Sequence, residues 1–153
     1  MPNDVLIAYD GSDGAKAAIA HAGAVLPGGP AVVATAWAPL RDSAPAPLLA
    51  LPAGIAEDAI ADIDAATRQH AEDLAAEGAA LARAAGFDAV PRAVPTDGRY
   101  FRALLDLADE VDAPLIVMGS RGRSPVAAAV LGSVSSGVLH HGRRPALIVP
   151  VHP

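Results

Sequence analysis

Between Val117 and Ser135 the chain reads VMGSRGRSPVAAAVLGSVS. Two residues separate Gly119 from Gly122, and nine separate Gly122 from the Gly132–Ser133 pair. Glycine at such positions can adopt backbone angles closed to other residues and lets a ligand approach the main chain. If Gly132 leads into a helix, the first amides of that helix lack internal partners and can bind phosphate oxygens, with the helix dipole favouring the negative charge. The Ser133 and Ser135 hydroxyls can donate to phosphate or cap the helix. Arg121 and Arg123 can add positive charge at the site or stand as solvated surface arginines.

Two better-known phosphate motifs do not fit. No lysine follows the glycines, as a Walker A loop requires, and the segment lies far from the first strand, where a dinucleotide fingerprint belongs. Enzyme chemistry has little support. There is no cysteine and no nucleophile elbow, and spacing alone brings no pair of acids together. His140 and His141 are adjacent and point different ways on a helix, which suits its C-terminal dipole better than a shared metal. His70 falls on the apolar stripe of a long helix and reads as a packed or boundary residue.

These residues need a frame to hold them. Val5–Tyr9 (VLIAY) reads as a strand buried on both faces, followed by Asp10-Gly11-Ser12-Asp13 with turn and cap chemistry. A helix from about Gly14 should stop at Pro27-Gly28-Gly29-Pro30. Ala31–Ala36 reads as a second strand, and Pro39–Pro52 as a proline-rich loop reaching to about residue 53. A long helix follows from about Gly54 to Ala85, with Ile60, Ile63, Thr67, His70, Leu74, Gly78, Leu81 and Ala85 recurring at spacings of three and four as its apolar stripe. Phe87–Val94, Pro114–Met118 and Ala146–Val149 read as further strands, Tyr100–Val111 and Gly132–His141 as further helices. Such alternation predicts a mainly parallel sheet with helices on both faces. Ligands of such sheets sit beyond the strands' carboxyl ends at a switch point, which places Asp10 and Gly119 together.

At 153 residues the chain suits one domain, 1–153. A net charge of −6 and an acidic isoelectric point disfavour nucleic acid and anionic membranes, so phosphate affinity must be local. The N-terminus lacks the basic segment and apolar run of a signal peptide, and no run is long enough to span a membrane. With the absence of cysteine, this suits a cytoplasmic protein.

The opening VLIAYDGS, the strand LIVMG, the spaced glycines and the closing VLHHGRRPALIVP together resemble the ATP-binding branch of the universal stress protein family. The resemblance implies an α/β three-layer sandwich with a five-stranded parallel sheet, adenine nucleotide alpha hydrolase-like and so Rossmann-like. It implies that Met118, Gly119, Gly122, Gly132, Ser133, Val134 and Ser135 form the ATP segment, with Gly119 and Gly122 beside the ribose and Gly132, Ser133 and Ser135 on the phosphates. Asp10 would lie beside the nucleotide, though it could instead cap the first helix. Backbone groups near Thr35 and Ala36 would face adenine. ATP or another adenine nucleotide with Mg²⁺, and a homodimer through Ala146–Val149, are the implied cofactors and assembly. The expected role is a nucleotide-dependent sensor or regulator in stress response. The rivals are a slow ATP hydrolase or nucleotidyl transferase using the same pocket, and a nucleotide-free dimeric interaction protein. The proline-rich insertion at Pro39–Pro52 and Pro125 within the glycine-spaced loop depart from the family pattern.

Overall fold

The computed structural model describes residues 4–122 and 131–150. A strand β1 (Val5–Ala8) leads through the Asp10–Ser12 turn into α1 (Asp13–Val25), then β2 (Gly29–Trp37), a single 3-10 turn (Leu40–Asp42) and a short α2 (Ala46–Leu49). The long α3 (Ala53–Ala84), β3 (Phe87–Pro95), α4 (Tyr100–Glu110), β4 (Ile116–Gly119), α5 (Ser133–His141) and β5 (Ala146–Val149) complete it. The five strands lie in the order β3-β2-β1-β4-β5, every neighbouring pair parallel.

β1 is central because it is apolar on both faces. Leu6 turns to one layer with Val32, Ile116 and the α4 residues Leu104 and Ala108. Ile7 turns to the other with Val33, Val117 and Ile19 of α1. Leu6, Ile7, Val33, Ile116 and Val117 are all sealed from solvent, each contributing roughly 1.5–3 kcal/mol of transfer free energy. Pro91 and Pro95 fall in β3, which among the described residues has β2 as its only neighbour. A missing amide is tolerated on an edge strand.

Local chemistry sets the helix ends near the motif. Ser12 caps α1, its Oγ accepting the Ala15 amide at 3.1 Å, and the turn before it requires glycine at position 11, where φ is +80°. α3 ends at Ala84, and Gly86 takes the left-handed conformation beyond it, with φ +103°.

Three sequence expectations change. Pro39–Pro52 is not a plain loop: it holds the 3-10 turn and α2, whose first turn contains proline, a residue pre-set for that position. The second strand begins at Gly29, and the fourth runs Ile116–Gly119 rather than Pro114–Met118. α3 buries a different face from its large aliphatic stripe. Ala71, Ala75, Gly78, Ala79 and Ala82 are buried, whereas Ile63 is 44% and Leu81 37% exposed. Close approach explains this: a Cβ on Gly78 would stand 2.7 Å from the Tyr9 ring, and one on Gly23 of α1 would stand 2.6 Å from the Ala85 carbonyl oxygen. Only small residues fit so near the sheet and α1. Among the described residues no helix is long and apolar enough to cross a membrane.

Candidate functional site

From the central β1, the sheet grows toward β2 and β3 on one side and toward β4 and β5 on the other. The connections therefore part beyond the carboxyl ends of β1 and β4, where a crevice must open. A cleft of about 690 Å³ lies there, within the size range of small-molecule sites.

The turn after β1 supplies Asp10. Its Oδ1 accepts the Ser12 amide at 2.9 Å, while Oδ2 faces Gly122 so closely that a Cβ on that glycine would lie 2.5 Å away. Asp10 thus supports the helix entrance, although Ser12 is the N-cap, and one of its oxygens is directed at the glycine turn. Gly119 ends β4 against α1, where a Cβ would stand 2.9 Å from the Gly14 backbone. Neither Gly119 nor Gly122 has a positive φ. Their need for glycine is a need for space, so the expected special backbone angles are corrected.

Ser120 and Gly132 hold the two ends of the intervening loop together. The Ser120 amide donates to Val149 O at 2.9 Å, and its carbonyl accepts the Gly132 amide at 2.7 Å. Ser135, only 2% exposed, directs its hydroxyl at the same carbonyl at 2.8 Å, with Gly132 O at 3.1 Å. Its proton serves the loop, so this hydroxyl neither caps the helix nor has a proton left over for phosphate. The N-cap of α5 is Gly132, which has no side chain to cap the helix, and the first residues of the helix, Ser133, Val134 and Ser135, line the cleft.

The structure brings Asp10, Ala36, Met118, Gly119, Gly122, Gly132, Ser133, Val134 and Ser135 onto one cleft wall or another, with Thr35 and Arg121. Arg123 and Pro125 lie outside the described residues. The far wall was not anticipated: Trp37 and Ala38 at the end of β2, Thr67, His70, Ala71 and Leu74 of α3, and Tyr100 of α4. His70 is exposed at this wall rather than packed. Its helical spacing with Thr67 and Leu74 was the available signal, read as a packed or boundary position because spacing identifies a face without saying what it faces.

The floor is fixed by Tyr9, 2% exposed, whose hydroxyl donates to Glu77. Burial and the adjacent carboxylate push its phenol well above the ordinary tyrosine range, so it stays a neutral donor. Its carbonyl accepts the Thr35 hydroxyl at 2.8 Å, joining the ends of β1 and β2. Asp10 is the single carboxylate and Arg121 the single guanidinium lining the cleft among the described residues. Thr35, Thr67, His70, Ser133 and Ser135 add neutral polar groups to a lining that is otherwise mostly apolar, suiting a ligand with a flat apolar part and an anionic end.

Comparison with known proteins agrees with this geometry. Residues 1–150 match the model of the universal stress protein family. A universal stress protein of Thermus aquaticus, encoded in the QAH/OAS sulfhydrylase 3′ region, is 36% identical, over 97% of this chain and 99% of its own length. Among solved structures, hypothetical protein MJ0577 superposes with a TM-score of 0.78 at 18% identity, over 99% of this chain and 97% of that one. A universal stress protein in complex with cAMP gives 0.62 at 31% identity, over 98% and 97%.

Proposed function

We propose that this chain, which belongs to the universal stress protein family, is a binding module for an adenine nucleotide, ATP with Mg²⁺, acting in the cytoplasm as a nucleotide-dependent regulator of stress response. One observation carries the proposal: a helix start with glycine as its N-cap, a glycine-backed turn and a cleft of about 690 Å³ coincide at the switch point of the sheet. The likeness to a universal stress protein that binds cAMP supports the adenine nucleotide class.

In this reading the amides of Ser133, Val134 and Ser135 receive the phosphates, with Gly132 leaving room for them. Met118, Gly119 and Gly122 border the ribose, and Asp10 lies beside the nucleotide. Backbone groups at Thr35 and Ala36 face the base. Ser135 contributes its amide and the geometry of the loop, since its hydroxyl is engaged. No group of three or more metal-ligating side chains exists among the described residues. Mg²⁺ would therefore arrive with the phosphates and water, as it commonly does, near Asp10. It would neutralise phosphate charge in a cleft that has one arginine among its described residues.

Regulation would pass through assembly. β5 is an edge strand of four apolar residues, of which Ala146, Leu147 and Ile148 are only partly buried, and pairing with a second copy would cover it. The α5 that carries the phosphate end runs directly into this strand.

Thermal denaturation tests the binding claim. ATP at a hundredfold excess over its dissociation constant should stabilise the fold by about 2.7 kcal/mol, and the shift should saturate. A melting curve unmoved by ATP, ADP, AMP and cyclic AMP would remove the proposal.

A further inference from the structure

Besides Tyr9, three polar side chains are buried among the described residues: Thr35 at 5%, Asp64 at 3% and Ser135 at 2% exposure. Each bonds across two chain segments that adjoin residues of the cleft wall. Thr35 ties the end of β2 to the Tyr9 carbonyl, and Ser135 ties the end of β4 to the start of α5. Asp64 belongs to neither the glycine motif nor the β1 turn. Its carboxylate reaches from α3 to the segment that follows β2, where Oδ1 accepts the Leu40 amide at 2.5 Å and Oδ2 accepts Nε of Arg41 at 3.0 Å.

A carboxylate covered to this degree is held in place by its donors. Isolated, it would carry a large desolvation cost; bonded to a backbone amide and a guanidinium, it fixes the chain that supplies them. Arg41 is 66% exposed while the Asp64 side chain is 4% exposed, so the anchor is the acid and the Leu40 amide is its stable partner. Leu40 follows Trp37, Ala38 and the buried Pro39 by one to three residues. On the other partner, Thr67 and Ala71 lie about one and two turns along α3 from Asp64, and all four of Trp37, Ala38, Thr67 and Ala71 line the cleft.

We infer that Asp64 is a positioning residue that clamps the end of β2 against α3 and so sets the shape of the cleft wall remote from the glycine turn. Under the nucleotide reading above, on which this consequence rests, that wall receives the base, and Asp64 governs base affinity without touching the ligand. The clamp itself does not depend on that reading.

Trp37, the sole tryptophan, reports on the clamp directly. Full-length wild type, Asp64→Ala, Asp64→Asn and Leu40→Pro proteins are compared after circular dichroism has checked their folding. Leu40→Pro removes the same hydrogen bond from the other side, where Pro39 already has the extended ψ of 138° that precedes proline. In Asp64→Ala and Leu40→Pro, Trp37 emission should shift to the red and acrylamide quenching should rise. Asp64→Asn retains an acceptor for the Leu40 amide and should stay near wild type. ATP should bind Asp64→Ala about tenfold more weakly, whereas inorganic tripolyphosphate, which tests only the phosphate end, should stay within about twofold.

Unchanged Trp37 quenching in folded Leu40→Pro and Asp64→Ala would overturn the clamp. Equal loss of ATP and tripolyphosphate would overturn the assignment of the clamped wall to the base, because the effect would then be general. If wild type binds no ATP, the nucleotide proposal fails while Trp37 quenching still decides the clamp. If Asp64→Ala does not fold, Leu40→Pro decides.

Discussion

Gly119 and Gly122 have different reasons for lacking a side chain. At Gly119 an added Cβ would meet backbone of α1 at 2.9 Å, and backbone cannot step aside. Gly119→Ala should therefore destabilise the fold by about 1–3 kcal/mol, the usual range for overpacking, measurable by urea denaturation. At Gly122 the obstacle is the Asp10 carboxylate, a side chain that can rotate. Gly122→Ala should cost little stability and should weaken ATP binding by displacing Asp10; a variant that melts early yet binds ATP normally would contradict that division. Ser135→Ala should cost about 1 kcal/mol, at the modest end for a buried hydrogen bond, because the Ser120 carbonyl keeps the Gly132 amide as a partner. The positions of these residues were legible because glycine spacing, cap residues and strand ends are local signals. The Ser135 hydroxyl bond was not, since it closes a loop on a carbonyl fifteen residues away.

α3 shows where legibility ended at the scale of elements. Its existence and both ends followed from periodicity and from Gly86, but the buried face did not, because in an alanine-rich helix closeness of approach decides which face packs. Ala79→Leu should accordingly destabilise by about 1–3 kcal/mol, while Ile63→Ala at the 44% exposed site should stay within about 0.5 kcal/mol. The Asp64 contact escaped sequence reading for a related reason: nothing within the helix marks a partner 24 residues upstream. Burial pulls the Asp64 carboxyl upward, but the Leu40 amide and Arg41 outweigh it and hold the group below the usual carboxylate value. A group depressed in the folded state stabilises it above the unfolded value and loses that contribution as pH falls through the folded one. Trp37 quenching should hence be flat from neutrality down to about pH 4 and rise only in stronger acid; a rise centred near neutrality would point to a different group.

At the scale of the whole molecule, two features lie on the β4–β5 side of the sheet: the end of the cleft at the start of α5 and, among the described residues, an edge strand. Pro145 O and Val149 O accept amides from Ile116 and Ser120 on the β4 side, so the alternate residues Ala146 and Ile148 direct their backbone groups outward. Ile148→Pro removes an outward amide without breaking the β4 ladder. If copies pair through β5, wild type should sediment as a dimer and this variant as a folded monomer; a variant that remains dimeric would place the interface elsewhere. The parallel sheet and the nearness of the ends of β1 and β4 were legible from the alternation of elements; the strand order β3-β2-β1-β4-β5 was not, because apolar patterning marks β1 as buried on both faces without saying which strands flank it.

The most direct test of the account is calorimetric titration of nucleotide-stripped protein with ATP and Mg²⁺, beside a Gly132→Asp variant. Gly132 has φ −63° and ψ 162° at the start of α5, a conformation in which aspartate is a favoured N-cap. The variant should fold, and its carboxylate should occupy the amides that would otherwise receive phosphate. The account predicts saturable binding by wild type and its loss in the folded variant. Absence of binding by wild type, or equal binding by both proteins, would contradict it.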